Sequence, residues 1–324
     1  MAARAIGVDL GGTNARAALV DAETGAIVSL SREVLADRSP AAVVEAVARV
    51  VAGVAGPGGA RAFRTLGVGV AGQVLGASGL VLNAPNLGWR DVPLSGMLEG
   101  RLGVAVGVVN DLAAAAWGES RFGAARGTGD ALVVFVGTGV GSGLVLGGRL
   151  HGGARGVAGE LGHVKVRPPR PGEAPRRCGC GAVGCLEAYA GGANVAARVR
   201  SELAAGARSS IREGRGGDLS RVTAVQVEEA AAAGDAYARR LWDEVGELLG
   251  GAIAAAATLL NPQRIVLGGG MLLGSPTLLE IVEWRIRTET SRSAAVALEV
   301  VKAELGDGAG VIGAALLGGL DRPA

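Results

Sequence analysis

Lysine is nearly missing from this chain of 324 residues: Lys165 and Lys302 are its two lysines, and Arg supplies every other base. A Walker phosphate loop needs Gly-Lys followed by Ser or Thr, and no such triplet occurs, so a nucleotide would have to be held without that lysine. Aromatic residues are also scarce, at 3%, which leaves Ala, Val, Leu and Ile to fill the core. The three cysteines fall within eight positions, which excludes a disulfide framework and fits a reduced, cytoplasmic setting. No signal segment is readable, because the apolar run after Arg4 ends at Asp9. The longest uncharged stretch, Ala131–Gly148, carries Gly at 137, 139, 141, 143, 147 and 148, so it reads as two strands around a tight loop and not as a membrane span. Acids and bases are interspersed and the net charge is +2, which leaves no basic face for nucleic acid.

Small apolar residues and glycine are abundant. Hydrophobic residues make up 49%, enough to exclude disorder. The 57 glycines follow no Gly-X-Y period, so collagen is excluded and they must serve turns and close backbone approaches. The length suits two domains. Strands are predicted at Ala5–Leu10, Arg16–Val20, Ile27–Val34, Leu66–Val70, Val104–Val109, Ala131–Val136, Leu144–Leu146 and Arg264–Leu267. Helices are predicted from Pro40, capped by Ser39, to about Val54, and at Leu112–Arg121, Ala193–Ala205, Asp235–Leu260 and Asp307–Leu317. Gly72–Val92, rich in Asn, Pro and Gly, reads as a loop, and Arg167–Cys185 as an irregular segment. Strands alternating with helices argue an α/β fold. A hairpin with a Gly-rich, Thr-bearing turn occurs twice, at Gly11-Gly12-Thr13-Asn14 and Gly137-Thr138-Gly139, which suggests duplicated α/β domains.

Those turns can carry chemistry. Consecutive backbone N–H groups with glycine beside them let a phosphate approach closely, and Asp9 at a strand end could hold the water shell of a metal ion near it. A third cluster, Gly268-Gly269-Gly270, opens toward a helix. Asn110-Asp111 stands where a strand gives way to a helix, so Asp111 is either a helix cap or a carboxylate able to take a proton from a substrate hydroxyl. Cys178-x-Cys180-x4-Cys185 suits Zn²⁺, with His163 as the fourth ligand and His151 as the lesser choice. Such a site has no open position, so the metal would be structural. Glu160 and His163 beside it, with Glu187 two residues after the last cysteine, make a surface suited to a polyhydroxylated ligand.

Asp9-Leu10-Gly11-Gly12-Thr13-Asn14, the Gly137–Gly143 loop, Glu160-Leu161-Gly162-His163 and the Cys-x-Cys-Gly-x-x-Gly-Cys-x-Glu run at 178–187 resemble the ROK family of bacterial sugar kinases and related repressors. Gly268-Gly269-Gly270 resembles its adenosine motif and Asp307-Gly308-Ala309-Gly310 its C-terminal stretch. The resemblance runs from about residue 6 to 316. It implies an actin-like (ribonuclease H-like) ATPase fold of two α/β domains around a cleft, split as 1–110 plus 301–324 and 111–300.

It further implies an ATP-dependent hexokinase acting on the 6-hydroxyl of glucose, with Mg²⁺ accompanying ATP and a structural Zn²⁺. By that resemblance Asp111 is the general base, and Gly72, Asn86, Asn110, Glu160, His163 and Glu187 hold the sugar. Asp9, Gly11, Gly12, Thr13, Asn14, Gly137, Thr138, Gly139, Gly268 and Gly269 serve the nucleotide, and His163, Cys178, Cys180 and Cys185 the metal. A homodimer or homotetramer in the cytoplasm, working in glycolysis, is the implied setting. Kinases for N-acetylmannosamine or N-acetylglucosamine share these motifs and form the alternative reading. A non-catalytic sugar sensor or repressor is the rival of a different class; the eight residues before Asp9 leave no room for a DNA-binding domain, and retention of Asp111 argues against a mere sensor.

Overall fold

The computed structural model describes residues 4–213 and 218–319. Three antiparallel strands open the chain: β1 (Arg4–Leu10), β2 (Asn14–Asp21) and β3 (Ile27–Val34). Ile6, Val8 and Leu10 alternate along β1 and are fully buried. Helix α1 (Pro40–Ala55) follows, with Pro at its start and Val43, Val47, Val50, Val51 and Val54 as its buried stripe. Ser39 does not cap it through its side chain; the Ser39 hydroxyl and N–H both donate to Asp37 instead. β4 (Thr65–Val70) lies parallel to β1.

Gly72–Val92 is not a loop. It holds a small antiparallel sheet of β5 (Gln73–Leu75), β6 (Leu80–Ala84) and β7 (Trp89–Val92), pinned by buried Val74, Val81, Ala84, Trp89 and Val92. Helix α2 (Leu94–Leu102) leads to β8 (Ala105–Asn110), parallel to β4, and then to α3 (Asp111–Phe122). The second half begins with β9 (Ala131–Val136), β10 (Val140–Leu146) and β11 (Arg149–Leu150). After the cysteine segment come α4 (Glu187–Ala190), α5 (Gly192–Ala204), α6 (Ser210–Glu213), α7 (Ala224–Ala232) and the long α8 (Ala236–Leu260). β12 (Arg264–Gly268), α9 (Gly270–Leu273), α10 (Pro276–Glu289), α11 (Arg292–Ala295), β13 (Glu299–Lys302) and α12 (Ala309–Gly319) complete the chain.

The two five-stranded sheets have one plan. The first runs β3-β2-β1-β4-β8 and the second β11-β10-β9-β12-β13. Each places its third, second, first, fourth and fifth strands side by side in that order, and β12 pairs with β13 in parallel as β4 does with β8. The duplication read from the two Gly-rich hairpins is thus a duplication of topology.

By contact density the chain forms two units: Met1–Val133 with Gly143–Gly159 and Ala303–Ala324, and Val134–Ser142 with Glu160–Lys302. Helix α3, expected to begin the large domain, packs within the first unit against α12. Glycine makes that packing close: a Cβ at Gly118 would lie 2.6 Å from the Ala309 carbonyl oxygen, and one at Gly313 would overlap the Ala114 carbonyl. Among the described residues, no helix is long and apolar enough to cross a membrane.

Candidate functional site

In the first unit, the β1–β2 hairpin closes through a hydrogen bond from Gly11 N–H to the Asn14 carbonyl at 3.0 Å. Its register sets Arg16 opposite Asp9, and the guanidinium grips that carboxylate, with Nε donating to Oδ2 at 3.2 Å. Thr13 at the tip is exposed, and Asn14 Oδ1 accepts from Arg32 Nε at 3.1 Å. A Cβ on Gly12 would stand 2.7 Å from Cβ of Asn86, so the predicted phosphate turn and a predicted sugar residue are neighbours.

Asn110 and Asp111 divide their work at the start of α3. Asn110 is the N-cap: its Oδ1 accepts from the N–H groups of Leu112 and Ala113 at 2.9 and 3.0 Å. Its Nδ2 donates to the Gly72 carbonyl at 3.0 Å, which gathers Gly72 into the same corner. The open choice for Asp111 is thereby narrowed, because the cap is its neighbour. Asp111 sits half-buried in the first turn, Oδ1 accepting from Leu112 N–H at 3.0 Å, outside the carboxyl end of a parallel strand.

In the second unit, Gly137 N–H bonds the Gly139 carbonyl at 3.0 Å and leaves Thr138 exposed at the tip. The start of α5 fastens this turn, Gly192 and Ala193 donating to the carbonyls of Gly137 and Thr138 at 2.9 and 3.0 Å. Gly269, with φ of 92°, lies against the end of β9, where a Cβ would overlap the Val136 backbone. The two predicted nucleotide clusters, 137–139 and 268–269, therefore adjoin.

Glu187 ties the same turn to the cysteine segment. Its Oε2 accepts from Val140 N–H at 3.1 Å, and its Oε1 lies 3.7 Å from Sγ of Cys178. His163 points its Nδ1 at Cys178 Sγ, 3.8 Å away, and its Nε2 at Glu160 Oε2, 3.5 Å away. One ligand atom from each of His163, Cys178, Cys180 and Cys185 falls within 4.8 Å of all the others. Cys180 and Cys185 sulfurs are 3.8 Å apart. Zn–S bonds of about 2.3 Å at tetrahedral angles put two sulfurs about 3.8 Å apart, so the residues fit that ion. His163, not His151, completes the set. Burial pushes the Cys178 thiol up to about 12. Lys165 donates to the Cys185 sulfur at 3.0 Å, a bond that holds its ammonium above the ordinary lysine range. This cation stands beside a site that would carry net negative charge with three thiolates on one Zn²⁺.

Two neighbours of Asp9 escaped the sequence reading. Arg16 was within reach, since a four-residue hairpin loop after Leu10 sets it opposite Asp9. Gly310 figures there only within the C-terminal motif, and its approach to Asp9 was not legible: a Cβ there would lie 3.5 Å from Cγ of Asp9, a contact between residues 301 positions apart.

The comparisons with known proteins agree with this geometry. The glucokinase of Streptomyces coelicolor is 34% identical over 320 residues, covering 96% of each chain. The crystal structure of a ROK family glucokinase from Streptomyces griseus, in complex with glucose and AMPPNP, has a TM-score of 0.81 at 34% identity, covering 98% of this chain and 99% of that one. The ROK hexokinase of Thermus thermophilus gives 0.79 at 30% identity, covering 98% of both. The α/β, actin-like ATPase fold expected from the motifs is the fold observed. With two Gly-rich hairpins on duplicated sheets, a Cys/His cluster joined by Glu187 to the second of them, and a match to the ROK family model over residues 5–319, the chain belongs to the ROK family.

Proposed function

We propose that this protein is an ATP-dependent hexokinase that transfers the γ-phosphoryl group of ATP to the 6-hydroxyl of glucose. The observation that carries the reading is Asp111, a half-buried carboxylate beyond the end of β8 whose capping duty is taken by Asn110. The likeness to a relative described with glucose and AMPPNP supports the substrate pair.

Phosphoryl transfer depends on positioning and charge stabilisation more than on covalent chemistry. Asp111 accepts the proton of the 6-hydroxyl as that oxygen bonds to the γ-phosphorus and the bond to the β-phosphate oxygen breaks, releasing ADP. Gly72, Asn86, Asn110, Glu160, His163 and Glu187 are the residues proposed to hold the remaining hydroxyls. Asn110 caps the helix through Oδ1 and gives one Nδ2–H to the Gly72 carbonyl, which leaves its second Nδ2–H for a sugar oxygen. Gly12, Thr13 and Asn14, with Thr138 and Gly139, offer backbone and hydroxyl donors to the phosphates; Gly11 and Gly137, whose N–H groups close the two turns, allow close approach, and Gly268 and Gly269 lie beneath the nucleoside.

Mg²⁺ bound with ATP would offset phosphate charge, and Asp9 is the carboxylate proposed to hold its water shell. His163, Cys178, Cys180 and Cys185 would hold Zn²⁺, which would supply rigidity; with Nδ1 turned to the cysteines, His163 would keep its Nε2–H toward Glu160 and the sugar. The enzyme so described works in the cytoplasm, in glycolysis, as a homodimer or homotetramer.

ADP release from Mg-ATP against glucose, mannose, fructose, glucosamine, N-acetylglucosamine and N-acetylmannosamine tests the reading. Turnover mainly with glucose supports it. Preference for an N-acetylated sugar keeps the mechanism and corrects the substrate, and no turnover with any sugar overturns it in favour of a sensor.

A further inference from the structure

We propose that Glu119, which no step above uses, is a positioning residue: it fixes the first turn of α12 against Asp9 and thereby sets the affinity for Mg-nucleotide. The inference rests on the kinase reading of the Asp9 turn.

Glu119 stands near the end of α3 and is fully buried. Its carboxylate is satisfied by main-chain N–H groups. Oε1 accepts from Leu305 at 2.9 Å and Glu304 at 3.1 Å, and Oε2 from Ala124 at 2.8 Å and Glu304 at 3.2 Å. Gly123 is required beside it, because a Cβ there would overlap Oε2. A buried carboxylate is costly to desolvate, so it is weak evidence for stability; what it specifies well is geometry. The geometry specified is that of residues 304–305, one tight turn (Gly306–Gly308) before α12 begins at Ala309.

Glycine contacts hold α12 close to α3, at Gly118 against Ala309 and Gly313 against Ala114. Glycine faces bring helices together but interlock no side chains, so they resist sliding along the axis poorly. Glu119 supplies the axial stop. The position so fixed matters at Gly310, whose Cα presents to the Asp9 carboxylate: a Cβ there would lie 3.5 Å from Cγ and 3.7 Å from both oxygens. Asp9 is thus packed between Arg16 and the first turn of α12. One helix, α3, therefore bears Asp111 at its start and the clamp that positions Asp9 near its end.

Calorimetric titration of the full chain with Mg-AMPPNP, and separately with glucose, tests the inference without relying on turnover. Glu119→Gln keeps the volume but turns an amide N–H₂ toward backbone N–H donors. It should weaken Mg-AMPPNP binding about tenfold and leave glucose affinity within about twofold. Glu119→Asp keeps both oxygens, drawn back by one methylene, and should weaken the nucleotide by a smaller factor; it carries the test if the Gln variant does not fold. Val47→Ala, in buried α1 on another face of the sheet, serves as a destabilised control and should leave both affinities unchanged. Unchanged nucleotide affinity in the Glu119 variants, or an equal loss in Val47→Ala, would show a merely structural role and overturn the inference. A wild-type chain that binds no Mg-AMPPNP would instead overturn the kinase reading, and this inference with it.

Discussion

Glu187 accepts the backbone N–H of Val140 at 3.1 Å, and through that bond the cysteine cluster and the Gly137–Gly139 turn share one carboxylate. Glu187→Ala should leave a buried N–H unpaired, at a cost of about 1–3 kcal/mol. It should also raise the KM for sugar and for ATP together, because it loosens both attachments. Thermal unfolding and initial-rate kinetics on one preparation would show this; a change in sugar KM alone would mean the link to the turn carries nothing.

Asp111→Asn keeps size and helix position but removes the proposed proton acceptor. The expected loss in kcat is about 10²–10⁴-fold, with sugar affinity altered by only a few-fold. Rapid-quench kinetics alongside equilibrium binding of glucose separate the two quantities. Equal loss in both would assign Asp111 to binding.

Metal analysis of the purified chain should find one Zn²⁺ per protein, and Cys185→Ser should lose it. Removal should abolish sugar turnover, since His163 is then no longer fixed. It should leave the surrounding helices intact, because Arg170 anchors the same segment independently through ion pairs to Glu202 at 3.0 Å and Glu244 at 2.9 Å. Circular dichroism together with turnover after chelation checks both halves; collapse of helix content would contradict the second.

The Arg170–Glu202–Arg198–Glu244 network also sets an acid limit on stability. Burial pushes the Glu202 carboxyl up, but Arg198, the Tyr237 hydroxyl and Arg170 more than reverse this, and the group titrates below its ordinary 4.5. A carboxyl lowered in the folded chain contributes fully above its unfolded value and loses that contribution as pH falls through the folded one. Unfolding free energy should therefore drop below about pH 4.5, and the drop should be shallower in Glu202→Gln. Superimposable acid limbs would remove Glu202 from the account.

The parts of the fold legible in the sequence were those with local signals. The hairpins announced themselves through Gly-rich turns between alternating apolar residues, and α8 through a long buried stripe closed by Asn261 in the left-handed region. The cluster was readable because three thiols in eight positions and two histidines in the chain leave few arrangements, of which the structure assembles the one with His163. The sheet of β5, β6 and β7 was not, because strands of three to five residues separated by Gly, Asn and Pro show too little alternation until they pair. In α10 a signal did exist: Pro276 at the start, then Leu278, Leu279, Val282 and Ile286 at helical spacing.

Roles that depend on distant partners left no trace in the sequence. Glu119 reads as an ordinary helical glutamate, and its N–H donors at 304 and 305 lie 185 and 186 residues away. Asn110 and Asp111 were correctly placed at a strand-to-helix junction, but which of them caps the helix is decided by φ and ψ at Asn110, of −63° and 142°. Residue type alone could not assign it, since both are good caps.

The central claim is that Asp111 drives phosphorylation of a sugar at its 6-hydroxyl, and ³¹P and ¹³C NMR of the product test it most directly. Wild-type protein with glucose and Mg-ATP should give one phosphate ester on carbon 6 and stoichiometric ADP, and Asp111→Asn should give almost none. Ester formation at another carbon, or an undiminished yield from the variant, would contradict the account.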